Sequence, residues 1–201
     1  MHSAVIVFPG SNCVTETERF LQSYYAESPA MVWHSTYNLP DVDLYVIPGG
    51  FSYGDYLRAG VLASISPVLK DLKKKAHEGK KILGICNGFQ ILCEAGLLPG
   101  TLRLNESGLF ICIPVEIKSS SGDSYVMPIA HGEGNYYHPN PENLNVALTY
   151  EKNPNGSVNN IAGVFNKENN VLGMMPHPER ASEDYHVSQD GYKFLQDFIE
   201  L

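Results

Sequence analysis

The sequence predicts an α/β protein with one mostly parallel sheet, helices on its flanks and added antiparallel strands. In the first half of the chain, short apolar segments alternate with segments whose apolar residues have helical spacing. This alternation is typical of βαβ units and of a buried parallel sheet. In the second half, short apolar segments follow one another with Gly, Asn and Pro between them, which favours antiparallel strands.

The strands of the first half are predicted at three short apolar segments, 4–8, 44–47 and 81–85. Helices are predicted over 15–25 and 66–80, between these strands, and Gly79 is placed to end the second helix. A third helix is predicted to begin directly after residue 88.

The strands of the second half are predicted at 110–117, 124–130, 145–150, 161–165 and 171–175. A last helix, with an apolar face, is predicted over 191–201. The length of 201 residues suits one domain, and we expect residues 1–201 to form it.

The composition argues against several kinds of function. The formal charge of −8, from 22 acidic and 14 basic residues, argues against a nucleic-acid-binding surface, which needs clustered Lys and Arg. No apolar segment approaches the ~20 residues that span a bilayer, so no membrane association is expected. The N-terminal segment lacks the pattern of a secretory signal, and the four cysteines lack zinc-site spacing. We expect a cytoplasmic protein with reduced thiols and no bound metal.

Residues 84–88, Gly-Ile-Cys-Asn-Gly, follow a predicted strand and have the G-x-nucleophile-x-G pattern of a strand-to-helix elbow. Cys86 occupies the nucleophile position. Glycines leave room for a nucleophile on so tight a turn, and the N-terminus of the following helix favours a thiolate. The alternative is a buried core cysteine, since free cysteine is among the most buried residue types.

A cysteine nucleophile needs a base, and the base needs a group that orients it. His177 lies between two prolines after a predicted strand, and proline biases the residue before it toward an extended conformation. In an extended segment, residues i and i+2 project to the same side, which places Glu179 beside the imidazole. Cys86, His177 and Glu179 are therefore a candidate triad, and a surface loop at 176–179 is the alternative.

Two backbone N–H groups are candidate donors to an oxyanion. Gly49 and Gly50 follow the strand at 44–47, and a glycine there lets a backbone N–H approach a ligand closely. The N–H of Gly50 and the N–H of Asn87 together form the candidate oxyanion hole. A plain turn is the alternative for the two glycines. The sequence contains no phosphate-binding glycine motif.

Of the other cysteines and histidines, His131 is a candidate site residue, because it follows a predicted strand and precedes a glycine. Cys93 and Cys112 lie among apolar residues in a predicted helix and a predicted strand, so we expect both in the core. Cys13 follows the first strand at the same edge as the site, and we expect a structural role for it.

Six segments resemble motifs of the class I, or triad-type, glutamine amidotransferases. They extend over nearly the whole chain: FPGSNC at 8–13, IPGGFSYGDYLRAG at 47–60, GICNGFQIL at 84–92, GLLPG at 96–100, PIAHGEGNYY at 128–137 and VLGMMPHPERA at 171–181. The combination of FSYGDY with AHGEGN is similar to one group in that class, the small glutaminase subunits of an amidine-forming synthase of de novo purine biosynthesis.

The resemblance implies the flavodoxin-like fold of the class and hydrolysis of L-glutamine to glutamate and ammonia. It implies that Cys86 is the nucleophile, that His177 is the general base and acid, and that Glu179 orients the histidine. It also implies that the oxyanion donors are Gly50 and Asn87.

The resemblance further implies that Gln90 holds the substrate glutamine, and His131 is a second candidate for that role. It implies a synthase subunit that receives the ammonia and uses ATP and Mg²⁺, together with a small accessory subunit. No cofactor is implied on this chain. Phe51 and Tyr56 suit a partner surface, and the core is the alternative for both.

Three features depart from the motifs of that group: Ala59 replaces a cysteine, Ile113 replaces an arginine, and the segment 118–127 is short. None of them falls on the triad. Two other functions are open: another hydrolase with a cysteine elbow, such as a γ-glutamyl hydrolase or a DJ-1-type peptidase or glyoxalase, and a non-catalytic interaction subunit. The H-P-E sequence at 177–179 and Gln90 weigh against the first, and the complete triad weighs against the second.

Overall fold

A computed structural model describes residues 1–201 and contains eleven β-strands and five α-helices. The strands are β1 (Ser3–Val7), β2 (Ala30–Trp33), β3 (Leu44–Ile47), β4 (Lys81–Ile85), β5 (Thr101–Arg103), β6 (Ile111–Ser119), β7 (Ser124–His131), β8 (Asn135–Tyr137), β9 (Val146–Tyr150), β10 (Ile161–Phe165) and β11 (Val171–Met174). The helices are α1 (Val14–Tyr25), α2 (Val61–Ser64), α3 (Pro67–His77), α4 (Asn87–Glu94) and α5 (Asp190–Glu200). No helix combines the length and the hydropathy that a membrane span requires.

Nine strands form one sheet, in the order β2-β1-β3-β4-β11-β10-β9-β6-β7. The first five strands in this order are parallel to one another. The other four strands are antiparallel to theirs, and β5 and β8 form a separate antiparallel pair. The predicted fold class, a parallel sheet flanked by helices with antiparallel strands added, is confirmed.

The predicted elements lie close to their predicted bounds. The strands at 44–47, 81–85 and 161–165 begin and end where the sequence indicates, because each is an apolar segment between turn residues. The elements β2, β5, β8 and α2 have no counterpart among the predictions. They span only three or four residues, which is too short for a hydrophobic period to be recognised.

The position of β11 differs from the prediction. The sequence favours antiparallel pairing throughout the second half, whereas β11 lies parallel to β4, with Met174 opposite Ile85. The reason is topological, since β10 and β11 form an antiparallel hairpin whose second strand enters the sheet beside β4. The segments that follow β4 and β11 therefore leave the same edge of the sheet side by side.

The core lies on the parallel strands, where β3 and β11 are buried along their whole length. The helix α4 packs on β4 and β11, and it contains the buried Cys93, as predicted. The prediction for Cys112 is wrong, because this residue is exposed. The first part of β6 extends past β9 and pairs with β7 alone, and residues 112–114 there are exposed on both faces.

The buried side chain of Asn170 joins the start of β11 to the turn between α3 and β4. Its Nδ2 donates to the carbonyl oxygens of Ala76 at 2.7 Å and Lys80 at 2.9 Å. Its Oδ1 accepts a hydrogen bond from Nδ2 of Asn166 at 2.8 Å. These contacts fix the entry of β11 into the sheet next to β4.

Replacing Asn170 with alanine is expected to lower the free energy of unfolding by about 1–3 kcal/mol, because buried carbonyl groups lose a donor. Urea unfolding followed by circular dichroism measures the change. The control is Asn143→Ala, which truncates an exposed side chain and is expected to change stability by less than about 0.5 kcal/mol. Equal unfolding midpoints for the two variants would contradict the role given to Asn170.

Candidate active site

Cys86 lies on a sharp turn between β4 and α4. Its backbone has φ 51° and ψ −104°, a conformation that non-glycine residues rarely adopt and that costs about 1–3 kcal/mol. The neighbouring chain leaves no room for side chains on the flanking glycines. A Cβ on Gly88 would lie 2.1 Å from the carbonyl oxygen of Ile47, and a Cβ on Gly84 would lie 2.5 Å from Cδ1 of Leu92. The turn is therefore a strained elbow that two glycines permit.

The Cys86 side chain is buried and lines a cavity of about 150 Å³. Its sulfur lies 3.7 Å from the carbonyl oxygen of Ala130. The cavity wall comes from the loop after β3, from the start of α4 and from the end of β7. Its lining residues include Gly50, Phe51, Asp55, Gln90, His131 and Glu133.

His177 and Glu179 form a buried pair directly after β11. Nδ1 of His177 lies 2.7 Å from Oε1 of Glu179, and both side chains are almost fully buried. The backbone of His177 is extended, and its N–H donates to the carbonyl oxygen of Pro128 at 2.9 Å. Nε2 of His177 has no hydrogen-bond partner in the protein.

The protonation of His177 is set by two opposing effects. Burial lowers the pKa of the imidazole, because a charged ring loses its hydration. The Glu179 carboxylate and the sulfurs of Cys86 and Cys13 act in the other direction and hold this pKa well above its ordinary value. The ring therefore favours the protonated state beside the two sulfurs.

The parallel pairing of β4 with β11 brings the elbow and the His–Glu pair together. The N–H of Cys86 donates to the carbonyl oxygen of Met174 at 2.7 Å, which continues the pairing of Ile85 with Met174 by one residue. His177 follows only three residues later. The structure thus places the three predicted catalytic residues, which come from two distant parts of the sequence, at one edge of the sheet.

The two predicted oxyanion donors lie at the same edge. The N–H of Gly50 has no acceptor within the protein, and Asn87 is the first residue of α4, where helix N–H groups lack intrahelical partners. Gly50 has φ 146°, and a Cβ there would lie 2.5 Å from the backbone nitrogen of Asn12. Oδ1 of Asn87 accepts from the N–H of Ser52 at 3.0 Å, which fastens the Gly50 loop to the helix.

Gln90 lies in the cavity wall, but both ends of its amide are occupied by protein groups. Its Nε2 donates to the carbonyl oxygen of Glu133 at 2.7 Å, and its Oε1 accepts from Nδ2 of Asn87 at 2.8 Å. Gln90 therefore ties the loop that follows β7 to α4. A direct contact with substrate would require one of these two bonds to break.

His131 is buried and neutral. Its Nδ1 lies 3.0 Å from Oδ1 of Asn105, and its Nε2 has no partner in the protein. Burial, and then the charge of His177, lower the pKa of His131 to about 4. Because Oδ1 of Asn105 is an acceptor, the ring proton lies on Nδ1 and Nε2 presents a lone pair.

Two residues in the site were not predicted to act there. Asp55 lines the cavity, with Oδ1 3.4 Å from Nδ2 of Asn87, and its pKa is raised to about 6 by burial and by the charge of Glu133. Cys13 lies beside the His–Glu pair, with Nη2 of Arg180 3.1 Å from its sulfur. The sequence signal for Asp55 is its place within FSYGDY, and the signals for Cys13 are its place within FPGSNC and its position after the first strand.

The chain matches the model of the CobB/CobQ-like glutamine amidotransferase domain over residues 1–149 and 137–194. It is 45% identical over 218 residues to phosphoribosylformylglycinamidine synthase subunit PurQ of Nostoc sp., with 100% of this chain and 97% of the relative covered. A chain in the structure of PurLQS from Thermotoga maritima has a TM-score of 0.93 and 42% identity, with 99% of this chain and 97% of that chain covered. A putative GMP synthase subunit from Thermoplasma acidophilum has a TM-score of 0.67 at 15% identity, covering 100% and 93%, and shows the shared fold alone.

An α/β sheet that carries a cysteine elbow beside a buried His–Glu pair is the arrangement of the glutamine amidotransferase class. The match to the glutamine amidotransferase domain, which covers most of the chain, confirms the resemblance to that class seen in the sequence. The chain belongs to the CobB/CobQ-like glutamine amidotransferase family and, within it, to the family of PurQ subunits of phosphoribosylformylglycinamidine synthase.

Replacing Glu179 with glutamine is expected to lower the pKa of His177. Burial lowers this pKa, and the Glu179 carboxylate is the group that opposes burial most. An NMR titration of the imidazole ring protons measures the change. The control is Glu183→Gln, which removes a carboxylate from the same segment without touching the ring. An unchanged pKa of His177 in Glu179→Gln would mean that the carboxylate does not set its protonation.

Proposed function

We propose that this chain is the glutaminase subunit of phosphoribosylformylglycinamidine synthase and hydrolyses L-glutamine to glutamate and ammonia. The observation that carries the proposal is Cys86 on a strained elbow, in the wall of a cavity and beside the buried His177–Glu179 pair. The membership of the PurQ family supports the assignment to this synthase. Residues 1–201 work as one glutamine amidotransferase type 1 domain in this proposal.

The first half of the reaction forms a thioester. The Cys86 thiolate attacks the side-chain carbonyl carbon of glutamine, and the negative charge that develops on its oxygen is held by the N–H groups of Gly50 and Asn87. Protonated His177 donates its proton to the amide nitrogen as the C–N bond breaks, and ammonia leaves. Glu179 holds the ring through Nδ1, so that Nε2 faces the reacting atoms.

The second half of the reaction hydrolyses the thioester. Neutral His177 accepts a proton from water, and the hydroxide oxygen attacks the γ-glutamyl carbon. The oxyanion forms again in the same place, and the C–S bond breaks to release glutamate. The Cys86 thiolate and protonated His177 are thereby restored, which matches the direction in which the pKa of His177 is shifted.

The cavity wall suits an amino-acid substrate. Asp55 and Glu133 place two carboxyl groups at the cavity, and the charge of Glu133 acts on Asp55. We propose that Asp55 and Glu133 bind the α-ammonium group of glutamine. The lone pair of His131 Nε2 accepts a hydrogen bond from the substrate amide, and Gln90 acts indirectly, by holding the loop that carries Glu133.

The ammonia passes to a synthase subunit, which performs the ATP- and Mg²⁺-dependent conversion of phosphoribosylformylglycinamide to phosphoribosylformylglycinamidine. The complex also contains a small accessory subunit, and it works in the cytoplasm. The exposed apolar side chains around the cavity suit the docking of that synthase subunit. Phe51 and Phe110 line the mouth with ring centres 6.4 Å apart, and Tyr56 and Leu57 project from the adjoining loop.

The Cys86→Ala variant tests the division of labour in the reconstituted complex. We expect it to abolish amidine formation from glutamine, because no nucleophile is left to release ammonia. Amidine formation from added ammonium is expected to continue at the wild-type rate, since the synthase needs only ammonia. The matched control is Cys93→Ala, which removes the buried thiol inside α4 and should leave both rates unchanged if the fold is kept.

Two results of this experiment would contradict the proposal. Glutamine-dependent activity that persists in Cys86→Ala would exclude Cys86 as the nucleophile. Loss of the ammonium-dependent reaction in an intact complex would mean that Cys86 serves the synthase step itself.

Replacing Asp55 with asparagine is expected to raise KM for glutamine by about ten- to a hundredfold, because an ion pair with the α-ammonium group is lost. The effect on kcat is expected to be smaller, since this group lies away from the reacting atoms. In the wild type, KM should fall as the pH rises through about 6, where Asp55 becomes charged. The other titratable groups of the cavity wall are Cys86, His131 and Glu133.

Initial-rate measurements of glutamate release between pH 5 and 8 check this prediction. The control is Asp184→Asn, which changes an exposed carboxylate outside the cavity. A KM that is unchanged in Asp55→Asn, with the same pH dependence as the wild type, would exclude Asp55 from substrate binding.

A further inference from the structure

Cys13 is a buried thiol that the proposed reaction does not use. It lies directly before α1, and its sulfur accepts a hydrogen bond from Nη2 of Arg180 at 3.1 Å. Cys13, His177 and Glu179 are all buried, and each has an atom that can bind a metal ion. These three atoms lie within 4.8 Å of one another. A second sulfur, that of Cys86, acts on the same imidazole.

We propose that Cys13, His177 and Glu179 form a binding site for a thiophilic divalent cation such as Zn²⁺, and that the bound ion inhibits the glutaminase. The inhibitory half of this inference rests on the proposed function, whereas the metal site itself does not. The site shares His177 and Glu179 with the reaction and adds Cys13, which lies outside it.

The residue types fit a zinc ion. Thiolate, imidazole and carboxylate are its usual ligands, with bonds of about 2.0–2.3 Å, so that tetrahedral ligand atoms lie about 3.3–3.8 Å apart. The ligand atoms of the three side chains lie no more than 4.8 Å apart, so small shifts of the side chains bring them to that geometry. Water completes the fourth position.

The charges also fit. A thiolate and a carboxylate balance the two positive charges of a divalent ion, and the positive charge of Arg180 beside the thiolate has its own counterion in Glu16, 3.7 Å away, so no buried charge is left unpaired. Arg180 already donates to the Cys13 sulfur. When Cys13 binds the ion, this hydrogen bond would orient the thiolate, as hydrogen bonds to metal ligands generally do.

Metal binding and catalysis exclude each other at this site. A cation on Nε2 of His177 takes the lone pair that would carry the proton for ammonia, and a cation on Nδ1 leaves Nε2 with a proton that the ring cannot exchange for a lone pair at neutral pH. In either case the ring no longer alternates between the protonated and neutral forms that the reaction needs. Glu179, once bound to the ion, no longer holds the ring through Nδ1. The ion therefore leaves Cys86 without its acid and base, and inhibition is expected to be reversed by a chelator.

Cobalt binding tests the site independently of activity. Co²⁺ takes the same ligands as zinc, and a thiolate bound to it gives a charge-transfer absorption in the near ultraviolet. We expect this band in the wild type, in Cys86→Ala and in the control Cys112→Ser, which removes an exposed thiol. We expect its loss in Cys13→Ser, because a serine hydroxyl is a poor ligand, whereas serine is a favoured residue before a helix and keeps the fold.

Cys13→Ala serves as a second variant, with circular dichroism to show that each variant is folded. A band that survives in both Cys13 variants and disappears in Cys86→Ala would place the ion on Cys86 and overturn the proposal. The absence of any band in the wild type would overturn it as well.

Zn²⁺ titration of glutamate release tests the inhibition in the complex. We expect the wild type and Cys112→Ser to be inhibited, with recovery on addition of EDTA, and Cys13→Ser to need more than about tenfold more Zn²⁺ for the same inhibition. Equal sensitivity of Cys13→Ser and the wild type would show that the inhibition does not pass through this site. If the wild type releases no glutamate, the proposed function fails, and the cobalt measurement still decides the metal site.

Discussion

The site depends on the parallel pairing of β4 with β11. This pairing sets Ile85 opposite Met174, and the N–H of Cys86 continues the ladder to the carbonyl oxygen of Met174. Because parallel strands end at the same edge, the elbow after β4 and the His177–Glu179 pair after β11 meet there. A shift of one residue in this register would turn every side chain of the shifted strand to the opposite face of the sheet and separate Cys86 from His177.

The elbow is held by the packing around it rather than by its own conformational preference. The left-handed backbone of Cys86 is unfavourable alone, and it is kept because α4 lies directly against the sheet, with Gly88 close to the carbonyl oxygen of Ile47. The side chain of Asn87 then fastens the loop of Gly50 to the same helix. The proposed nucleophile and the proposed oxyanion donors are thus fixed by one helix N-terminus.

Much of this could be read from the sequence, for local reasons. The apolar segments of the central strands are short and bounded by turn residues, so their bounds are predicted closely. The glycines around Cys86 indicate the elbow, because few other turns need that pattern. The prolines around His177 indicate its extended backbone, and the spacing of two residues to Glu179 indicates the ion pair. Each of these inferences needs only neighbours in the sequence.

What only the tertiary structure decided involves residues that are distant in the sequence. The pairing direction of β11 follows from where the β10–β11 hairpin enters the sheet, which no local pattern records. The exposure of Cys112 follows from how far β6 extends past β9. The positions of Asp55 and Cys13 beside the triad, and the engagement of Gln90 by the loop after β7, arise from contacts between separate loops. Periodicity determines which residues form an element, but long-range packing determines which elements meet.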